Sequence, residues 1–349
     1  MALTVLHTPE EWAARYTSAG RRAALSIGFF DGLHLGHQEV LRHVVARAKA
    51  STLGAAENRA ETSSAPTYGR EAGGAAVCVA GVVTFDPHPG AILRPGKAPK
   101  LISTLAQRLA GFEAAGIEAV LVMKFTPEIA AITAEDFLAK ILVERLGMSA
   151  ICVGPNFRFG HKQAGNTDML EQMAPCFGYE VEIVPPSVLN GQLVSSTAVR
   201  SAIAAGQVAL AAELLGHPFS LTGPIRPGDK RGGAVLVPTL NLAPEQELLP
   251  KTGVYCTETC VGATLYRSVT NVGFRPTFNG QALSIESHLF DFSEMIPEGE
   301  IEVRFWERLR DEQKFASVDD LRRQINLDLE AAKTFFRARD RESSIKRTH

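Results

Sequence analysis

The chemistry-bearing stretch nearest the start of the chain is Gly28-Phe29-Phe30-Asp31-Gly32-Leu33-His34-Leu35-Gly36-His37. An apolar run at 23–27 precedes it and reads as a buried strand. A helical pattern follows, with Val40, Leu41, Val44, Val45 and Ala48 on one face. The histidines therefore sit where a strand becomes a helix. There the free backbone N–H groups and the positive end of the helix dipole favour an anion. Gly32 and Gly36 let the backbone bend and let a phosphate come close. His34 and His37 are three apart and share a helical face. Two imidazoles so placed can donate to phosphate oxygens as charge builds on phosphorus.

Three further stretches hold groups suited to phosphates or metals. Ser195-Ser196-Thr197-Ala198-Val199-Arg200 opens a helix, with Arg200 on the face of Ser196. Its hydroxyls serve equally as a helix cap or, with the guanidinium, as a cradle for a triphosphate. Gly228-Asp229-Lys230-Arg231-Gly232-Gly233 is either a surface hairpin or a phosphate-wrapping turn. Beyond it, Thr239 and Asn241 are two apart and face one way on a strand, where they could share a Mg²⁺. Gly154-Pro155-Asn156-Phe157-Arg158-Phe159-Gly160 reads either as a turn closed by a hydrophobic plug or as a binding loop at a strand end.

These groups need elements to hold them. Residues 77–85, 118–125, 149–154 and 180–184 read as strands. Residues 103–115 and 134–146 read as helices, with Ser103 and Thr133 as N-caps and Gly147 as a stop. Alternating strands and helices predict a parallel sheet covered on both faces, with ligands beyond the carboxyl ends of its strands. Residues 51–76 lack an apolar period and read as a mobile insertion, with a lid as the alternative. From Phe219 the pattern changes to short runs broken by Gly and Pro, at 233–236, 253–259, 264–272, 284–292 and 300–305. That spacing predicts a small antiparallel barrel. A helix over 318–336 closes the pattern, capped by Ser317 with Asp320, and a basic frayed tail is expected from Arg337.

Composition narrows the classes. The net charge is −2, which gives no reason to expect nucleic acid as a partner. The five cysteines are scattered and lack metal or redox spacing, so reduced thiols in a cytoplasmic protein are expected. No signal-peptide pattern and no membrane-length apolar run is seen.

The histidine turn resembles the HxGH signature of nucleotidyltransferases. With Phe30-Asp31-Gly32 before it, and Ser195-Ser196-Thr197 with Arg200 far beyond it, the resemblance narrows to the prokaryotic bifunctional riboflavin kinase/FMN adenylyltransferases, or FAD synthetases. Thr84-Phe85-Asp86-Pro87-His88-Pro89 resembles that family's second motif, with aspartate where glutamate is usual. The barrel half resembles the riboflavin kinase domain through Asn271-Val272-Gly273-Phe274, Ile285-Glu286-Ser287 and Arg308-Leu309-Arg310-Asp311.

The resemblance implies an N-terminal Rossmann-like nucleotidyltransferase domain over 1–216. It implies a C-terminal six-stranded riboflavin kinase barrel with a long helix over 217–349. His34, His37 and Glu286 would be catalytic. Gly28, Phe29, Phe30, Asp31, Gly32, Gly36, Ser195, Ser196, Thr197 and Arg200 would bind ATP for adenylyl transfer. Asp86, Pro87, His88, Pro89, Asn156, Phe157 and Arg158 would hold its flavin. In the barrel, Gly228, Lys230, Gly232, Thr239 and Asn241 would take ATP with Mg²⁺ on Thr239 and Asn241, and Arg308, Arg310 and Phe315 the flavin. Riboflavin, FMN, FAD and ATP are the implied small-molecule partners, with no membrane and a monomer or weak homo-oligomer.

One departure stands out. Gly233 and Leu236 occupy places where the family usually has arginine and glycine. An adenylyltransferase whose barrel binds flavin without phosphorylating it is therefore the alternative. Pantetheine-phosphate and nicotinate-nucleotide adenylyltransferases would explain the turn but not the barrel.

Overall fold

In this computed structural model, residues 2–61, 77–226, 239–277, 280–292 and 298–347 are described. They form two compact units, Met1–Pro99 with Leu105–Val194, and Lys100–Thr104 with Ser195–His349. This division does not coincide with the expected functional boundary at 216/217.

The first unit runs β1 (Thr4–Leu6), α1 (Pro9–Trp12, continued by a wider turn to Thr17), β2 (Ala23–Ile27), a 3-10 turn (Asp31–Leu33), α2 (Leu35–Glu61), β3 (Val79–Asp86), α3 (Pro89–Leu93) and α4 (Leu105–Ala114). It continues with β4 (Ala119–Lys124), α5 (Pro127–Ala130), α6 (Ala134–Asp136, carried on by a wider helix to Arg145), β5 (Met148–Val153), α7 (Thr167–Phe177), β6 (Glu180–Ile183) and a hairpin of β7 (Val188–Leu189) and β8 (Gln192–Leu193). β1 to β6 make one sheet in the order β1-β4-β3-β2-β5-β6, and every pairing is parallel.

Alternate residues feed two cores, one on each face. Leu25, Val83, Leu121 and Ile151 pack with Trp12, Leu138 and Leu142 on one side. Ala24, Val82, Val120 and Cys152 pack with Leu41, Val44 and Phe112 on the other. The strands are buried on both faces, which is why they read as unbroken apolar runs. The expected doubly covered α/β sheet is present.

Some local expectations change. Ser103 is buried one residue ahead of the capping position, because α4 starts at Leu105. Thr133 does cap, accepting from the Asp136 N–H at 3.1 Å. The helix of the histidine turn runs on to Glu61, so 51–61 is helical rather than loop, and 62–76 lies outside the described residues.

The second unit opens with α8 (Ser196–Ala204) and α9 (Val208–Leu215). Strands β9 (Phe219–Arg226), β10 (Leu240–Leu242), β11 (Gly253–Val261), β12 (Thr264–Thr277), β13 (Gly280–Leu289) and β14 (Glu300–Arg310) follow, then α10 (Val318–Arg347). The six strands close into an antiparallel barrel, β10-β13-β12-β11-β14-β9. The strand expected at 233–236 falls outside the described residues. Inside the barrel, the hydroxyls of Thr257, Thr259, Ser268, Thr270 and Ser287 bond to one another at 2.6–2.9 Å, so their burial leaves no oxygen bare. Outside, Val254, Cys256 and Val269 pack under Ala332 and Phe336 of α10. Ser317 caps that helix, accepting from the Asp320 N–H at 3.1 Å and donating to its carboxylate at 2.7 Å. The tail expected to fray from Arg337 is instead helical to Arg347.

All five cysteines are free. Burial pushes the Cys152 and Cys256 thiols up to about 12 and keeps them protonated. Among the described residues, no helix is long and apolar enough to cross a membrane.

Candidate active sites

β2, β3 and β4 are laid down outward in one direction, and the chain then returns to place β5 on the other side of β2. The order reverses between β2 and β5, and in open parallel sheets the crevice at such a reversal takes the ligand. The histidine turn leaves the carboxyl end of β2, and the 154–160 loop leaves that of β5.

The turn is tightly wound. Phe30 and Leu33 adopt left-handed backbone at φ 58° and 45°, and Gly32 at 79°. Left-handed backbone costs a non-glycine residue energy, and such strain concentrates at functional sites. The twist puts the His34 and His37 rings in a stack, 3.7 Å between centroids and 16° from parallel. The His37 N–H donates to Nδ1 of His34 at 3.3 Å. Nδ1 is thereby the acceptor, and Nε2 carries the proton of the neutral His34 ring. A Cβ on Gly36 would lie 3.3 Å from that ring, which is the close approach glycine permits. Phe30 turns its edge to His37 at 5.1 Å and is wedged against Phe112 at 5.4 Å. Gln38 ties the turn to itself by donating to the Leu33 carbonyl at 2.8 Å. Asp31 and His34 are buried within it.

β3 ends at Asp86, which is joined to Pro87 by a cis peptide bond. Asp86 and Pro87 are exposed and His88 and Pro89 half-buried. The His88 ring accepts from the Gly90 N–H at 2.8 Å and meets Phe29 edge-on at 4.3 Å. The second predicted motif therefore touches the first. In the 154–160 loop, Phe159 is a buried plug and Phe157 stacks on it at 5.4 Å, while Asn156 and Arg158 are exposed. Phe159 bears out the plug reading, and Asn156 and Arg158 remain at the surface beside it.

In the second unit, Ser195 is the N-cap of α8, accepting from the Ala198 N–H at 3.2 Å. Arg200 donates through Nε to the Lys100 carbonyl at 2.9 Å. Ser196 is half-buried and Thr197 exposed.

Barrel register defines the other site. Glu286 lies directly opposite Asn241 on one side and Asn271 on the other. Directly paired residues share a face, so the three side chains form a row across β10, β13 and β12. Ser284 donates to Glu286 Oε1 at 2.7 Å. Gly273, next on that face, keeps clear the space that the Glu312 carboxylate occupies, since any Cβ there would clash with it. None of Asn271, Ser284 and Glu312 was given a site role from sequence: strand register brings Asn271 to Glu286, Ser284 reaches it from two residues away on the same strand, and Glu312 lies against Gly273.

Thr239 is exposed just before β10, and Asn241 is buried within it. Their hydroxyl and amide oxygens are hard donors, and Mg²⁺ carried on a nucleotide needs only one or two protein ligands. The residues present therefore fit that ion. Gly228, Lys230, Gly232, Gly233 and Leu236 lie outside the described residues.

Arg308 and Arg310 part company. A register shift after Val254 sets Arg308 opposite Tyr255 and Arg310 opposite Val254, so the two guanidiniums fall on different faces. Arg308 donates to the Thr252 carbonyl and to Asp311, both at 2.6 Å. Arg310 grips the Asp328 carboxylate of α10 at 2.8–3.1 Å and lies 5.8 Å from the Phe315 ring. Both expected flavin contacts thus have protein partners.

Comparison with known proteins agrees with both halves. A family model described as FAD synthetase matches residues 17–56 and 70–198, and one described as riboflavin kinase matches 215–336. The skipped interval falls inside the insertion read at 51–76. A bifunctional riboflavin kinase/FMN adenylyltransferase of Haemophilus influenzae is 35% identical over 90% of this chain and 94% of its own. That of Escherichia coli K12 is 32% identical over 89% and 92%. A crystal structure described as a macrolide-efflux protein from Streptococcus pneumoniae superposes with TM-score 0.77 at 27% identity, covering 95% of this chain and 99% of its own. With its histidine turn at a switch point, its Glu286 row on a closed barrel and relatives matched along nine-tenths of its length, the chain belongs to the bifunctional riboflavin kinase/FMN adenylyltransferase family and carries both of its enzyme domains.

Proposed function

We propose that the family's two reactions are divided between these two sites, with adenylyl transfer at the histidine turn and phosphoryl transfer at the Glu286 row. In the first, an FMN phosphate oxygen attacks the α-phosphorus of ATP and pyrophosphate leaves. His34 and His37 donate to the α-phosphate as its charge grows. The glycines and N–H groups of residues 28–36 cradle it. Ser195, Ser196, Thr197 and Arg200 keep their proposed role on the β- and γ-phosphates, and Asp86 to Pro89 with Asn156, Phe157 and Arg158 theirs on the flavin. Functionally, 1–216 is the adenylyltransferase domain and 217–349 the kinase.

In the second reaction Glu286 takes the proton of the riboflavin 5′-hydroxyl as that oxygen attacks the γ-phosphorus of ATP, and ADP leaves. Asn241 and Thr239 hold the metal–nucleotide, and Ser284 orients the base. Mg²⁺ bound with ATP would supply positive charge to the phosphate oxygens. The observation that carries this reading is the stacked histidine pair at the sheet's switch point. What favours a working kinase over a retired barrel is the intact row Asn241–Glu286–Asn271. The proposed setting is the cytoplasm, as a monomer or weak homo-oligomer whose five free thiols stay reduced.

The test supplies riboflavin, ATP and Mg²⁺ to the purified protein and separates the flavins by chromatography. FMN and FAD should both form. Gly233 and Leu236 are expected to weaken ATP binding more than turnover, so saturating ATP should recover most of the FMN-forming rate. A rate never above that of Glu286→Gln, at any ATP concentration, would reduce the barrel to a flavin-binding remnant.

A further inference from the structure

Arg108, on α4, is one of the most enclosed side chains in the protein, with 1% of its surface exposed. Its Nη1 donates to the Phe29 carbonyl and to the Thr84 hydroxyl, each at 2.9 Å, and both terminal nitrogens reach the Phe85 carbonyl at 3.4 Å. Its guanidinium lies 4.0 Å from the centroid of the Phe29 ring, and that ring meets His88 edge-on. Burial pushes the guanidinium pKa down, while Asp86 and Asp31 nearby act the other way. An arginine stays protonated regardless. Among the described residues no carboxylate pairs with it.

A buried cation whose only charged neighbours, Asp31 and Asp86, make no direct ion pair with it is costly, and its fork offers what offsets that cost. Here the fork ties together the ends of β2 and β3. Those are the two strand ends that launch the histidine turn and the Asp86–Pro89 turn. The charge lies against Phe29, inside the stretch proposed to cradle the phosphate.

We infer that Arg108 is a positioning residue for adenylyl transfer: it clamps the two turns to each other through Phe29 and supplies fixed positive charge to the phosphate site without touching substrate. This rests on the adenylyl-transfer reading of the histidine turn. Its charge is the part hardest to replace, because a neutral side chain of similar volume can fill the space but cannot stabilise phosphate.

The experiment compares Arg108→Met, Arg108→Gln and Arg108→Lys with His34→Ala and the parent. FAD formation from FMN and FMN formation from riboflavin are measured on the same preparations, below the melting transition of each. Arg108→Met and Arg108→Gln should lower kcat for FAD formation by about 30-fold or more, with KM for ATP within about threefold. Arg108→Lys should regain all but about threefold, and FMN formation should be unchanged throughout. A merely structural role would lower the melting temperature of all three and leave kcat of the folded enzyme alone. If His34→Ala abolishes FAD formation while folded Arg108→Met stays within threefold of the parent, the clamp is refuted and the site stands. If His34→Ala keeps FAD formation, the site reading falls and this inference with it. Should neither neutral variant fold, Thr84→Val decides. It removes the hydroxyl that the Arg108 fork holds at 2.9 Å, and a kcat for FAD formation within twofold of the parent overturns the proposal, whereas a loss of about fivefold or more supports it.

Discussion

The two proposed sites, the histidine turn and the Glu286 row, are built by opposite routes. The turn is built from ten consecutive residues bent by left-handed backbone at Phe30, Gly32 and Leu33. The row is assembled from Asn241, Asn271 and Glu286, on three strands, and exists only because the barrel closes in one register. A contiguous site is robust to small shifts elsewhere and is sensitive to any change within it. A register-built site tolerates change in its neighbours but depends on strand pairing. Glu286 sits between two amides only in that register.

The largest effects should separate the two sites completely. His34→Ala removes one donor to the developing charge and is expected to cost FAD formation about 10³-fold, with FMN formation within about twofold of the parent. Glu286→Gln should do the converse, lowering FMN formation about 10²- to 10⁴-fold while supplied FMN is still adenylylated. Loss of both activities from either substitution, in a protein that melts normally, would merge the sites and end the comparison.

A smaller effect sharpens it. Asn271→Leu keeps the strand but replaces the amide paired across from Glu286 with an apolar group, and should cut FMN formation about tenfold without moving FAD formation, because a carboxylate loses polar surroundings on one side. Full activity would show that register brings Asn271 to Glu286 for no catalytic reason. Smaller again is the cap of α10. Ser317→Ala should destabilise the second unit by about 1 kcal/mol, read as a shift in the denaturant midpoint, and leave both turnover numbers unchanged.

The smallest expected effect concerns acid. Arg42 and His43 beside Glu39 hold its carboxyl down at about 2, against an ordinary value of 4.5. A depressed carboxyl contributes stability that is fully present above about pH 4.5 and lost as pH falls towards 2. Glu39→Gln should therefore flatten the acid limb of the stability curve between those values in denaturant melts, with little change at pH 7, because the pair is largely exposed and screened. An acid limb as steep as the parent's would remove Glu39 from the account.

The sequence by itself determined the local chemistry. HxGH at a strand-to-helix turn, the Ser195 cap, the Thr133 and Ser317 caps and the apolar runs of the parallel sheet are all set by neighbours within about four residues, which is the reach of helix and turn physics. The change of pattern at Phe219 was enough to show that an antiparallel barrel follows. Local pattern failed where an element had no strong signal of its own. The three-residue strand β1 is too short to show a period, and α2 runs past the point where its apolar stripe stops. Only the tertiary structure decided the rest. Arg108 looks in sequence like a solvated residue of an amphipathic helix, yet two strand ends close over it. Arg308 and Arg310, two apart, should share a strand face, yet the register shift at β11 sends them to opposite sides. Asn271 becomes a neighbour of Glu286 through pairing between residues fifteen positions apart in the chain. In each case the deciding partner lies beyond the reach of helix and turn physics, and long-range packing and strand register are properties of the whole chain.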